Sequence, residues 1–333
     1  MAKVNKFAFN KFLKLKYTHP YLLVVSNRVR TKNLSDDYGF INEVQPEGKL
    51  SLYKTDATNP NHLKIAEESP ENLPELLSHT DKPLVIFVHG DNKTFRQAVV
   101  SGLDIQELYN VSVVVFAWPS RQKQIMGSRN FQNSKKNVVQ SDLHFHKLFQ
   151  FISEFSEKHS YVRQKIRFSL FLHSLGNMFM KQIVENKQLP TCELFDNVVL
   201  NSAAVPQKHH KQWIEQLQIQ KRIYITANYQ DFNLKGARIF TSAGKQLGER
   251  YEHPLAENAE YVNFTKAIGF RFPTYDTHTF FLGNIPAKSQ IIRSFYHQVF
   301  RGESPNLNDQ QSFSLKKDGR GYNIHFKTKQ KKT

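Results

Sequence analysis

Residues 167–177, R-F-S-L-F-L-H-S-L-G-N, constrain the fold more than any other part of the chain. Positions 168–172 read as a buried strand, apolar but for Ser169, and a helical pattern starts near Asn177. Between them stand His173, Ser174, Leu175 and Gly176. A buried strand that turns sharply into a helix is the arrangement of a nucleophile elbow, where the turn lifts one hydroxyl above the end of a sheet. Gly176 is the residue that lets the incoming helix pack close to the strand. The first glycine of G-x-S-x-G is missing, because Leu172 occupies its place. S-x-G tripeptides also arise by chance, and Ser174 then is only a small residue at a turn. The rest of the chain has to decide.

Other apolar runs surround this one. Residues 84–88 (L-V-I-F-V) are continuously apolar, as expected of a central strand covered on both faces. Residues 111–116, 198–200, 223–228 and 261–264 read as further strands, with 21–26 and 49–54 before them. Helical patterns follow at about 95–108, 213–217 and 287–300. A polar loop, 121–136, leads into a helix whose apolar stripe is Val139, Leu143, Phe145, Leu148, Phe149, Ile152 and Phe155. Residues 59–81, with Pro60, Pro70 and Pro74, read as loop with a short helix near Glu75. Strands alternating with helices imply an α/β fold, with a mostly parallel sheet and helices on both faces. Near the C-terminus, 313–317 and 322–327 alternate polar and apolar residues around D-G-R-G, a hairpin signal.

Charge is concentrated at the ends. The 333 residues carry a net +17, residues 1–35 contain only positive charges up to Ser35, and 316–332 is basic with Asp318 as its one acid. The expected organisation is a basic N-terminal extension (1–19), an α/β domain (20–302) and a basic C-terminal hairpin and tail (303–333). Such ends suit peripheral contact with an anionic membrane, or serve solubility alone; a nucleic acid is not the expected partner. A single cysteine, Cys192, excludes an intramolecular disulfide. Lysines interrupt every apolar stretch of the N-terminus, which therefore lacks the core of a secretory signal, and a cytoplasmic protein is the expectation.

In a parallel sheet reactive groups gather at the carboxyl ends of strands. Four polar features occupy such positions: His89-Gly90-Asp91, Ser174, Asp231 and His278. Nucleophile, acid, base is the chain order of α/β-hydrolases. Ser174 needs an imidazole to take its proton, and His278 is best placed; His209, His210, His253 and His297 are rivals. The imidazole needs a buried carboxylate on its other nitrogen, and Asp231 is placed for that ahead of Asp196 and Asp276. The developing oxyanion needs N–H donors, for which the amides of Leu175 and Asp91 are the candidates. His89 and His173, each at a strand end, are expected to orient the loops at Gly90 and Gly176 by bonding to backbone. No metal-ligand spacing or phosphate-binding glycine motif occurs, so neither metal nor cofactor is expected.

Three segments together, L-V-I-F-V-H-G-D-N-K-T-F, V-V-V-F-A-W-P-S-R and F-L-H-S-L-G-N, resemble the bacterial α/β-hydrolases of the DUF900 type. Y-I-T-A-N-Y-Q-D-F-N-L and T-H-T-F-F-L extend the likeness, over roughly residues 20–300. The resemblance implies a serine hydrolase with Ser174, Asp231 and His278 as its triad. Three departures stand out: Leu172 before the elbow, Asp91 in place of an aromatic residue, and Asn201-Ser202-Ala203-Ala204 in place of an A-P-D-like segment. An inward Asp91 carboxylate would oppose an oxyanion, so its side chain is expected to face away or to pair with Lys93 or Arg96. The expected activity is cleavage of a carboxylic ester, small or lipid, through an acyl-enzyme. The alternative is a hydrolase-fold protein that binds an anionic membrane or nucleic acid through its basic termini.

Overall fold

The computed structural model describes residues 17–327 apart from 35, 60–61, 122–126, 242–243, 275 and 320. The N-terminal extension therefore lies almost wholly outside the described residues, as do Lys123 of the basic loop and the end of the C-terminal tail. Thirteen strands are described: β1 (Tyr21–Ser26), β2 (Arg28–Arg30), β3 (Phe40–Val44), β4 (Ser51–Asn59), β5 (His62–Glu68), β6 (Leu84–Val88), β7 (Ser112–Ala117), β8 (Phe168–His173), β9 (Phe195–Asn201), β10 (Gln220–Ala227), β11 (Ala259–Asn263), β12 (Phe313–Leu315) and β13 (Tyr322–Ile324). Eleven form one sheet in the order β12-β13-β11-β10-β9-β8-β6-β7-β1-β4-β5, parallel from β13 to β1, while β2 and β3 pair apart.

The helices are α1 (Leu73–Ser78), α2 (Phe95–Tyr109), α3 (Ser128–Gln140), α4 (Asp142–Lys158), α5 (Ser160–Lys165), α6 (Asn177–Glu185), α7 (His210–Ile214), α8 (Phe232–Thr241), α9 (Thr265–Ile268), α10 (Asn284–Lys288) and α11 (Gln290–Phe300). Alternation along a strand sends side chains to opposite faces. Leu84, Ile86 and Val88 of β6 thus join one apolar layer with Leu148 of α4 and Phe179 of α6. Val85 and Phe87 join the other, with Leu103 of α2 and Phe295 of α11. Both faces are dry, which is why β6 reads as an unbroken apolar run. Burying each such side chain contributes about 1.5–3 kcal/mol.

The structure departs from the sequence reading in two places. Within the presumed loop 59–81 lies β5, an edge strand whose only buried residue is Leu63, so lysines and glutamates hide its pattern. Helix α3 starts at Ser128, well inside the polar loop, and a break at Ser141 separates it from α4. Val139 and Leu143 consequently fall off the stripe and are more than half exposed. The C-terminal hairpin forms as read, and its β13 pairs with β11, so it extends the central sheet. Among the described residues no helix is long and apolar enough to cross a membrane.

Candidate active site

Ser174 follows β8 directly and has φ = 54°. A side chain in this left-handed region is strained, and neighbours must hold it there. Asn177, the first residue of α6, does so from within. Its Nδ2 donates to the carbonyls of Leu172 at 3.1 Å and Ser174 at 2.9 Å. The amide of Ala204 donates to the Ser174 carbonyl as well, at 3.0 Å.

Two glycines allow the β6 loop to lie against this turn. A β-carbon on Gly176 would sit 2.7 Å from the His89 carbonyl oxygen and 2.8 Å from that of Val88. One on Gly90 would sit 2.6 Å from Cβ of Ser174 and 3.2 Å from its Oγ. Gly90 thus places the amide that follows it, that of Asp91, beside the elbow.

His89 is buried, its ring stacked on Trp118. The Trp118 amide donates to Nε2 at 3.2 Å, and Nδ1 stands 2.8 Å from the Gly90 carbonyl. These partners assign the proton to Nδ1. Burial, with Arg28 nearby, holds the pKa well below the ordinary range, so the ring is neutral. His173 is neutral for the same first reason, with His278 adding to it. Its Nδ1 accepts from the side chain of Asn201 at 3.0 Å. Asn201 also accepts from Thr226 Oγ1 at 2.8 Å and Tyr296 Oη at 2.5 Å, making a buried network behind the elbow.

His278 and Asp231 meet. Nδ1 of His278 donates to Oδ2 of Asp231 at 2.6 Å, with the carboxylate fully buried and the imidazole 7% exposed. The other oxygen, Oδ1, accepts from the amides of Asn233 at 3.1 Å and Leu234 at 3.0 Å. Asp231 therefore also caps α8. The loop that carries His278 is pinned by Asn228 Nδ2 on the Thr277 carbonyl (2.8 Å) and Ser202 Oγ on the His278 carbonyl (3.2 Å). The His278 ring lies 4.7 Å from that of His173, which adjoins Ser174. No hydrogen bond joins the Ser174 and His278 side chains.

The Asp91 side chain turns to α3. Its Oδ1 accepts from Asn130 Nδ2 at 2.9 Å and Ser134 Oγ at 2.5 Å, both on α3. The same two donors reach the Ser120 carbonyl at 2.9 Å, so α3 is clamped to the ends of β6 and β7. Burial pushes the Asp91 carboxyl up to about 6, against the pull of those hydrogen bonds.

The rivals stand elsewhere. His210 bonds Tyr261 Oη, His253 faces Asp318, and His297 lies within α11; His209 immediately precedes α7. Asp196 is held by Arg163, Arg167 and Lys221, and Asp276 accepts from Asn284. Sequence reasoning gave Asn177, Asn201, Ser202 and Asn228 no role, although each lies in a segment quoted for the family resemblance or for a departure from it. Among the described residues no three His, Cys, Asp or Glu side chains group to hold a metal ion.

Residues 65–264 match the family described as alpha/beta hydrolase of unknown function (DUF900). The chain belongs to the DUF900 α/β-hydrolases. The matched region contains the oxyanion-loop candidates, the elbow and Asp231, and ends before His278. Comparison with curated proteins finds no match. In this DUF900 hydrolase the elbow and the His278–Asp231 pair thus share the carboxyl end of one parallel sheet.

Proposed function

We propose that this DUF900 hydrolase cleaves carboxylic esters, with Ser174 as nucleophile, His278 as base and Asp231 as its orienting carboxylate. Ser174 Oγ attacks the acyl carbon while His278 Nε2 takes its proton, and Asp231 stabilises the imidazolium. The amides of Leu175 and Asp91 donate to the oxyanion. Collapse breaks the bond to the leaving alkoxide, which receives the proton from Nε2. Water then gives a proton to Nε2 and attacks the acyl-serine, releasing the acid and restoring Ser174.

The observation that carries this reading is the 2.6 Å His278–Asp231 bond at the same sheet end as a serine held at positive φ. With Nδ1 committed to Asp231, the lone pair of Nε2 is the one left to accept a proton. Tethering Asp91 to α3 engages its charge away from the proposed oxyanion while its amide stays beside Gly90. A fluorophosphonate probe tests the proposal: wild type is labelled and Ser174→Ala is not. Equal labelling of both would overturn it. A panel of p-nitrophenyl esters, lysophospholipids and thioesters then defines the acyl and leaving groups.

A further inference from the structure

We propose that the end of the sheet carrying Ser174 and His278 docks on an anionic lipid surface, through Phe232, Phe270 and the cations near them. Phe270 is 86% exposed and Phe232 44%, against a core in which most phenylalanines are wholly buried. Phe232 opens α8 one residue after Asp231, and Phe270 lies in the tight turn Gly269–Arg271 beyond β11. Strands β10 and β11 are parallel neighbours with Ala227 opposite Asn263, so both turns emerge at the catalytic end of the sheet. They are adjacent: Thr265 Oγ1 accepts from the Tyr229 amide at 2.7 Å, and a β-carbon on Gly269 would lie 3.9 Å from Gln230 Oε1.

Cations accompany both rings. Lys235 Nζ stands 5.4 Å from the Phe232 ring. Lys266 and Arg271 are exposed before and after Phe270 in the chain; the Arg271 guanidinium lies 5.4 Å from the Phe326 ring and donates to the carbonyls of Lys266 (2.9 Å) and Ala267 (3.3 Å). None of the three forms an ion pair among the described residues. Asp276 is the one acid between Phe264 and Phe281. Exposed aromatic side chains with cations at their bases match an interface that has acyl chains beneath and anionic headgroups above. A nucleic acid would use the cations, and would be served better by rings framing a groove than by one projecting from a turn.

The proposal rests on the hydrolase reading only for what this face means, namely delivery of a lipid-borne ester to Ser174. Vesicle binding needs no turnover, so the two fail separately. The test is co-sedimentation of the full chain with phosphatidylcholine vesicles with and without phosphatidylglycerol. Wild type is expected on the anionic vesicles alone, and Phe270→Ser and Lys266→Glu each to weaken that binding on the order of tenfold. Thermal melts of both variants should match that of wild type, which shows that they are folded whether or not the chain turns over an ester. The proposal is overturned if wild type ignores anionic vesicles, or if both variants bind as wild type does. It is equally overturned if deletion of residues 1–16 alone abolishes binding, or if the chain prefers single-stranded DNA to vesicles.

Discussion

Asp231 divides its carboxylate between two partners, giving Oδ2 to His278 at 2.6 Å and Oδ1 to the first amides of α8. Oδ1 satisfies helix donors that would otherwise be orphaned and places negative charge where the helix dipole favours it. One oxygen is thereby immobilised, and the other is aimed.

This division separates folding from catalysis in Asp231→Asn. Asparagine caps helices about as well as aspartate, so the melting temperature should shift by no more than a few degrees. The amide cannot orient the imidazole as the carboxylate does, and kcat is expected to fall about 10³–10⁴-fold. Steady-state kinetics on a p-nitrophenyl ester and a thermal melt read the two effects. A loss of less than tenfold would remove Asp231 from the proposed triad.

Gly90→Ala should act on the elbow itself. The added methyl would sit 2.6 Å from Cβ of Ser174, and the strained turn cannot withdraw, being tied through Asn177 and Ala204. Displacing Ser174 and the Asp91 amide together is expected to cost about 10²-fold in kcat. Overpacking should also lower stability by about 1–3 kcal/mol, measured by urea unfolding.

Asp91 supplies a prediction in pH. Its folded-state carboxyl titrates at about 6, above the ordinary value of 3.8. The native state thus holds this proton more tightly than the unfolded chain. The stability it contributes is complete below about pH 4 and is lost as pH rises through about 6. Asp91→Asn keeps an oxygen for Asn130 and Ser134 without the buried charge. It should be more stable than wild type at neutral pH, by at most about 2–3 kcal/mol, with the difference gone near pH 4. Urea titrations at several pH values check this; a difference that does not change with pH would refute it.

Asn201→Leu should be costly although it lies outside the proposed triad. It strips partners from His173, Thr226 and Tyr296 at once, all of them buried. Unpaired buried groups cost about 1–3 kcal/mol each, so a loss of about 3 kcal/mol or more is expected. Unfolding by denaturant measures it directly.

The central strands were legible because both of their faces are dry: Leu84 to Val88 needs no polar side, and neither do β7 and β8. The elbow, the chain order of Ser174, Asp231 and His278, and the family likeness were also open to the sequence alone, since strand ends and turns are local features. Edge strand β5 was not, because half of it faces water and carries charge. The preference for Asp231 and His278 over the other acids and histidines rested on chain position alone. Asp196 and Asp276 differ from Asp231 in where the chain carries them, and only packing brings Asp231 to His278 while surrounding Asp196 with three cations. That Asp91 turns to Asn130 and Ser134 was likewise out of reach, since these partners lie far along the chain on α3. Sequence determined which chemistry could collect at the end of the sheet. Tertiary structure decided which groups touch, because a hydrogen bond depends on positions set by residues far apart in the chain, here Ser202, Asn228 and Gly90, whose side chains, or lack of one, hold the site in place.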